Sequence, residues 1–389
     1  MDYIHRTISE SIEKATPFFR VIAVVGARQV GKTTLCKQLF PNYGYVNLEN
    51  IPTRELIAHD MQRFIDQVDE GIIIDEAHHL PELFSYIQVA TDAHPHKQFV
   101  LTGSSNFAML QQITQSLAGR VALFTLPPLA MSEVATQISS LSTDELLFRG
   151  LYPAAFVADM PISQLYSNYY TTYIERDVHQ LIRVKDLSVF QQFMRLCAGR
   201  VGSECNYAAL ANATGMSAPT IKEWISILAA SYILFTLQPY YENISKRLVK
   251  TPKIYFYDTG VLCLLLGIEN PTQLATHPLR GAIFENLVIT EFLKKRMNQG
   301  KLSNLYFYRE SRGTEIDMVQ VDGNQLSLYE IKSSSTFSSR FFDNIKSVSK
   351  TYADRILRSG VIYDGRNEVN STIEGVFNYR SIPFDSINE

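Results

Sequence analysis

Residues Gly26-Ala-Arg-Gln-Val-Gly-Lys-Thr33 constrain this chain more than any other stretch, because they set glycines, a lysine and a hydroxyl in the order G-x-x-x-x-G-K-[ST]. Such a loop works only where a strand enters it and a helix leaves it. The glycines then let backbone N–H groups curl around phosphate oxygens, and the helix N-terminus adds positive potential. Both flanks are present: the apolar run Arg20 to Val25 enters the loop, and a helical pattern follows Thr34. Gly26, Ala27, Arg28, Gln29, Val30, Gly31, Lys32, Thr33 and Thr34 therefore read as a triphosphate cradle. Lys32 reaches the β- and γ-phosphates and Thr33 ligates magnesium, so ATP and Mg2+ are the expected ligands.

The surrounding residues supply the sheet that such a loop requires. Apolar runs at Tyr43 to Leu48, Gly71 to Asp75, Gln98 to Gly103 and Val121 to Leu126 alternate with helical stretches. Together with Arg20 to Val25 they predict a doubly wound α/β domain with five parallel strands. The third run, Ile72-Ile-Ile-Asp75-Glu76, ends in two carboxylates at the edge where open α/β sheets bind ligands. Asp75 is expected to hold Mg2+ through its water shell, and Glu76 to orient or deprotonate the water that attacks the γ-phosphate. His78 and His79 read as structural residues. The next strand ends in Thr102-Gly-Ser-Ser-Asn106, where Ser104, Ser105 and Asn106 compete for a contact with the γ-phosphate or the attacking water. Arg120, directly before the fifth run, has two readings: an arginine finger reaching a neighbouring subunit's phosphate, or a surface or capping arginine.

At 389 residues the chain exceeds what one core usually supports, so two or three domains are expected. Composition is ordinary for a globular protein, with 46% hydrophobic and 19% charged residues, and no apolar run is long enough to cross a membrane. The start of the chain lacks the apolar core of a secretory signal, and a cytoplasmic location is expected. Cys36, Cys197, Cys205 and Cys263 lack zinc-site spacing and read as reduced, mostly buried thiols. A formal charge of −3 argues against a uniformly basic nucleic-acid binder while leaving local basic patches open.

The Gly-Ala-Arg-Gln-Val-Gly-Lys-Thr-Thr loop, Leu101-Thr-Gly-Ser-Ser-Asn106, Ser116-Leu-Ala-Gly-Arg120 and Arg149-Gly150 are similar to those of the bacterial and archaeal AAA-type ATPases whose ATPase is fused to a C-terminal region of unknown function. Tyr173-Ile-Glu-Arg-Asp177, Lys246-Arg-Leu-Val-Lys-Thr-Pro-Lys253, Tyr257-Asp-Thr-Gly260 and Phe284-Glu285 resemble that later region, so the resemblance covers nearly the whole chain. It implies a P-loop AAA-like ATPase domain at 1–135, a helical and winged-helix-like middle at 136–260, and a restriction-endonuclease-like α/β domain at 261–389. It also suggests a homo-oligomer, because AAA-like sites are commonly completed between subunits.

In the middle, Tyr166, Tyr169, Tyr170 and Tyr173 fall at helix-face spacing and read as core. Ile221, Trp224, Ile225 and Leu228 mark the buried face of a helix that Ser217 can cap. With the preceding helix and the Gly-Met-Ser turn they predict a helix-turn-helix. Its exposed face, which includes Lys222, is not strongly basic, while Lys246, Arg247, Lys250 and Lys253 on the following segment can clamp phosphates. Two readings stand: DNA contact, or a packing and oligomerisation role. From Gly281 onward a helix with Glu285, strands at Leu305 to Arg309, Glu315 to Val319 and Leu326 to Lys332, then helix and strand, follow the order of the PD-(D/E)xK nucleases. Strand alternation sends Glu330 and Lys332 to one face, where Asp317 can join them. Asp317 and Glu330 are the expected magnesium ligands, Lys332 the group that helps orient or activate water, and Glu285 a further carboxylate. Against this stand a solvent-facing charged strand and a nuclease-like fold that binds without cutting. The functional readings are thus ATP hydrolysis coupled to DNA binding or processing, or a nucleotide-dependent switch that binds a protein partner.

Overall fold

A computed structural model of the chain describes residues 3–94, 96–104, 106–174, 187–242, 250–310, 313–366, 368–370 and 374–382. After helix α1 (Ile8–Ala15), the first apolar run forms strand β1 (Val21–Val25), buried along its whole length. A central parallel strand covered on both faces must be apolar throughout, and Val-Ile-Ala-Val-Val satisfies that. Helix α2 (Lys32–Leu39), β2 (Gly44–Asn47), α3 (Ile51–His59), α4 (Met61–Asp66), β3 (Gly71–Asp75), α5 (Leu83–Ala93), β4 (Gln98–Gly103), α6 (Asn106–Ser116) and β5 (Val121–Thr125) follow. All pairings in this sheet are parallel, in the order β2-β3-β4-β1-β5. Register places Val25 beside both Gly103 and Thr125, so the C-terminal ends of β1, β4 and β5 share one edge. Asp75 ends β3 at that same edge.

The middle of the chain is helical, as its periodicity predicts. Helices α7 (Thr143–Arg149), α8 (Ile162–Tyr169) and α9 (Leu187–Ala198) precede α10 (Tyr207–Thr214) and α11 (Ala218–Ala230). Tyr166 and Tyr169 are buried and their rings pack on Tyr152, which makes the aromatic stripe core; the side chain of Tyr173 lies outside the described residues. Gly215 ends α10 in the left-handed conformation, and the Ser217 hydroxyl accepts a hydrogen bond from the Thr220 N–H at the start of α11. Those two local devices make the turn between the helices.

Strands β6 (Leu234–Pro239) and β7 (Lys253–Phe256) pair antiparallel, and β6 then pairs in parallel with β8 (Leu305–Arg309). Between them come α12 (Thr259–Leu265) and the long helix α13 (Arg280–Asn298). Strands β9 (Glu315–Asp322) and β10 (Gln325–Lys332), helix α14 (Asp343–Thr351), β11 (Ile356–Tyr363), β12 (Val369–Asn370) and β13 (Glu374–Asn378) complete an eight-stranded sheet ordered β12-β13-β11-β10-β9-β8-β6-β7. The expected helix, three strands, helix and strand are all present. The sheet is wider than those elements alone, because it takes in the hairpin β6-β7 from before residue 260 and the strands β12 and β13 after β11. Buried apolar side chains from Ile8 to Ile382 form one continuous cluster, with a smaller one beneath β8 to β11. All four cysteines are free and buried, and no helix among the described residues is long and apolar enough to cross a membrane.

Candidate functional site

The glycine loop joins β1 to α2 through backbone that only its sequence tolerates. Gly26 has φ +148°, and a Cβ built there would sit 2.3 Å from the Leu126 carbonyl oxygen, so β5's exit segment packs directly on the loop. Gln29 and Gly31 are also left-handed, with φ 61° and 96°. Alternating such residues turns successive N–H groups toward one concavity. Lys32 is buried and its Nζ donates to the carbonyl oxygens of Gly26 at 3.1 Å and Ala27 at 2.9 Å. Burial pushes its pKa down to about 8, although the carboxylates of Glu76 and Asp75 oppose the shift.

Asp75 is buried at the end of β3 and saturated by hydroxyls. Its Oδ2 accepts from Thr33 Oγ1 at 2.8 Å and from the Tyr45 hydroxyl at 2.9 Å, while Oδ1 accepts from Thr102 Oγ1. Thr33 and Asp75, the expected metal pair, thus face each other across the loop mouth. A magnesium ion that keeps several waters and takes phosphate oxygens needs no more from the protein than this pair. Glu76 is itself left-handed, with φ 52°, a strained conformation of the kind that gathers at functional sites. Its Oε2 accepts from the Ser104 N–H at 2.9 Å and hydroxyl at 3.0 Å, and lies 3.3 Å from His78 Nδ1. Burial pushes His78 down to about 4 despite Glu76 beside it, so the imidazole is neutral at neutral pH. His78, read as structural, therefore touches the expected water-activating carboxylate. Ser104 of the three competing residues is on Glu76; Ser105 and the Asn106 side chain lie outside the described residues. Ser104 is flagged by its place at the end of β4, whereas Thr102 and Tyr45 carry no motif of their own, and only a strand end and an edge strand mark them.

A second support comes from the start of the chain. Arg6 is buried and its guanidinium donates to Val30 O at 2.7 Å, Pro127 O at 2.6 Å and Glu133 Oε2 at 3.1 Å. It thereby ties the glycine loop to the segment leaving β5. Beside this clamp is a cavity of about 470 Å3 whose lining includes Tyr3, His5, Ser132, Glu133, Thr136 and Phe156. Nothing in the sequence singles out Arg6, a lone arginine before a short helix.

Arg120 is elsewhere. It precedes β5 at the sheet edge opposite the glycine loop, and its guanidinium makes two bonds to Asp92, at 2.8 and 2.9 Å. Within one chain it does not meet Lys32, Asp75 or Glu76.

The four side chains expected in the C-terminal domain do converge. Lys332 Nζ lies 3.1 Å from Asp317 Oδ2 and also bonds Glu330, and Asp317 accepts from the Ile331 N–H at 2.8 Å. Glu330 also accepts from Asn344 Nδ2 at 3.2 Å. Glu285 on α13 accepts from the Tyr255 hydroxyl at 2.5 Å, and Lys253 lies 3.6 Å from Glu285 and 2.5 Å from Glu315. Burial, then Asp317, pushes Glu285 up to about 7 and Glu330 up to about 8. Burial alone would lower Lys332, but Asp317 and Glu330 together outweigh it and hold the ammonium above its ordinary value. Among the described residues no three His, Cys, Asp or Glu side chains are close enough to hold a metal ion, and the Lys332 ammonium occupies the space between Asp317 and Glu330.

Of the basic residues expected on a DNA-facing segment, Lys222 and Lys250 are exposed, and Lys246 and Arg247 lie outside the described residues. Lys253 is corrected: it is buried on β7 with Glu315 and Glu285 as partners, because the strand points it into the acidic cluster.

A loop of this form at the end of β1, set beside paired carboxylates at the end of β3 in a parallel sheet, defines a P-loop nucleotide-binding domain. Comparison with known proteins agrees: residues 19–135 match the family model described as an AAA domain. Residues 140–272 and 280–382 match two models each described as a domain of unknown function, DUF8612 and DUF4143. The chain is similar to uncharacterized protein Rv2008c of Mycobacterium tuberculosis and uncharacterized protein Mb2031c of Mycobacterium bovis. Each is 29% identical over 356 residues, covering 89% of this chain and 77% of the relative. Among solved structures, the Walker-type ATPase PABY2304 of Pyrococcus abyssi aligns with 14% identity and a TM-score of 0.39, over 68% of this chain and 96% of that one. A signal transduction ATPase with numerous domains, PH0952 from Pyrococcus horikoshii, aligns with 13% identity and a TM-score of 0.28, over 74% of this chain and 48% of that one.

Proposed function

We propose that this chain binds ATP with Mg2+ in the P-loop and hydrolyses it. The observation that carries this is the meeting, in one cradle, of Lys32, the Thr33–Asp75 pair at 2.8 Å and Glu76. Magnesium, once held by Thr33 and through water by Asp75, would neutralise phosphate charge. The chain's own residues do the rest: Lys32 leaves the loop carbonyls for the phosphates, and Glu76 turns from Ser104 to a water. The cavity beside Arg6 suits the nucleobase, since it combines the aromatic rings of Tyr3 and Phe156 with polar groups from His5 and Thr136. Lys32→Ala should abolish nucleotide binding, whereas Glu76→Gln should bind and not turn over. Unchanged hydrolysis in both variants would remove the reading. Arg120, distant from its own P-loop, acts on phosphate only in an oligomer. Light scattering showing an active monomer would exclude that role.

For the partner we favour DNA over a protein. What favours it is the C-terminal cluster, where Glu285, Asp317, Glu330 and Lys332 gather as in the PD-(D/E)xK order, with a winged-helix-like pair, α10 and α11, before it. The side chains as they stand do not fit a metal ion, so no cleavage step is derived. Incubation with plasmid, single-stranded and branched DNA, with Asp317→Ala and Lys332→Ala as controls, tests cleavage. DNA stimulation of ATPase activity that weakens with salt tests binding. A protein recovered by pull-down, with no DNA response, would favour a nucleotide switch with an inactive nuclease-like domain.

A further inference from the structure

Two fully buried charges of α13 reach out of the C-terminal domain into the ATPase domain. Glu291 and Lys294 are 3% and 1% exposed and pair with each other at 2.8 Å. Each spends a further bond on the segment leaving β5: Lys294 Nζ donates to Leu129 O at 2.8 Å, and Glu291 Oε2 accepts from Met131 N–H at 2.8 Å. As a pair of charges they add little over apolar side chains, since a buried ion pair barely repays its desolvation. What apolar side chains would not supply is a grip on one backbone acceptor and one backbone donor.

The gripped segment is the one that shapes the nucleotide site. Leu126 lies against Gly26, Pro127 accepts from Arg6, and the Glu133 side chain holds Arg6 and lines the cavity beside it. Residues 126–133 are thus fixed on one side by the P-loop and Arg6 and on the other by α13. Farther along, α13 also packs on α1, where Ser11 donates to Asn298 O at 2.8 Å. Toward its N-terminus the same helix carries Glu285 of the acidic cluster and Asn286, whose side chain donates to Phe256 O and accepts from its N–H, at 2.9 and 2.7 Å. Glu285 and Glu291 are about 9 Å apart along the axis at the α-helical rise.

We propose that Glu291 and Lys294 are positioning residues for the nucleotide site, so that ATP occupancy and the acidic cluster are coupled through one rigid helix. The proposal rests on the ATP reading above. Because coupling between two bound states is reciprocal, whatever engages the cluster also changes ATP affinity by the same factor.

The test uses the full chain and ATPγS with Mg2+. In the wild type, nucleotide should slow hydrogen exchange in the P-loop, in residues 126–133 and in residues 284–294 of α13. Slowing confined to the P-loop overturns the proposal without any variant. Glu291→Leu/Lys294→Met removes both charges and both backbone contacts together, which avoids leaving one charge buried alone. In that variant, checked for folding by its thermal melt, calorimetry should show ATPγS binding weakened about tenfold, with KM raised and kcat within about twofold, because ground-state positioning is what is lost. A merely structural pair would lower the melting temperature and leave KM unchanged. A folded variant whose affinity matches the wild type overturns the coupling alone. Absence of ATPγS binding by the wild type overturns the ATP reading and this one with it.

Discussion

ATP affinity should fall by about tenfold between pH 7 and pH 9, because Lys32 must be an ammonium to hold a triphosphate and its free-protein pKa is pushed down to about 8. The cause is loss of water on burial, with Glu76 and Asp75 only partly compensating. At pH 7 roughly nine in ten free molecules carry the charge, and at pH 9 roughly one in ten do. Bound phosphates raise the pKa, so the complex keeps a proton that the free protein has lost, and binding at pH 8 should take up about half a proton. The stability of the nucleotide-free fold has the opposite sign. A lysine lowered in the folded state costs stability below its folded pKa, and that cost is relieved as pH rises from about 8 toward the unfolded value. Calorimetric titration of ATPγS at pH 7, 8 and 9, in two buffers of different ionisation enthalpy, reads both affinity and proton uptake. Lys32→Arg is the control, since a guanidinium does not titrate in this range. An affinity flat from pH 7 to 9, or an equal slope in Lys32→Arg, refutes the reasoning.

Thr102→Val keeps shape but removes a buried donor to Asp75, and urea unfolding should show a loss of about 1.5–3 kcal/mol, as for hydrogen bonds to charged groups. A loss under about 0.5 kcal/mol would mean that Asp75 does not depend on this hydroxyl. Gly26→Ala drives a Cβ to 2.3 Å from the Leu126 carbonyl oxygen, so ATPγS binding should be lost in calorimetry, and tight binding would mean that the exit segment of β5 can move aside. In the C-terminal cluster, Glu285 and Glu330 titrate near 7 and 8 when folded, above their unfolded values. Their contribution is therefore present at low pH and lost as pH rises through that window, by about 4 kcal/mol for the two together between pH 6 and 8.5. Glu285→Gln and Glu330→Gln should flatten that slope in urea unfolding, and an unchanged slope would place the titration elsewhere.

How much was legible differs between the two sites for a physical reason. The P-loop is contiguous in sequence, because one loop's backbone makes the cradle, and β3 announces its carboxylates by an apolar run. Their supports come from other elements. Thr102 and Ser104 serve Asp75 and Glu76 only because β4 lies beside β3, and Tyr45 only because β2 lies on its other side. Arg6 meets Val30 and Glu133 across 24 and 127 residues. Propensity and periodicity see neither distance. Arg120 shows the reverse limit: its position before a strand is legible, but a parallel strand begins at the sheet edge opposite the glycine loop, so that position faces away from Lys32 and Asp75.

The acidic cluster was legible through strand alternation, which puts Glu330 and Lys332 on one face whatever the rest of the chain does. The surplus of charge around them was not. Glu285, Glu315, Asp317 and Glu330 are four carboxyls that share Lys253 and Lys332, with Arg309 reaching only Glu315 at the rim. Lys253 was expected at a DNA surface because its neighbours in sequence are basic, yet β7 carries it inward, where its charge is needed. With carboxyls still in excess of cations around Glu285, Asp317 and Glu330, burial leaves the protein a choice between protons and an added cation. The raised values of Glu285 and Glu330 are the proton solution. A ligand bringing positive charge would displace those protons. Because Glu285 sits on the helix that Glu291 and Lys294 fasten to the nucleotide site, that charge balance is also where a change at the P-loop would be felt.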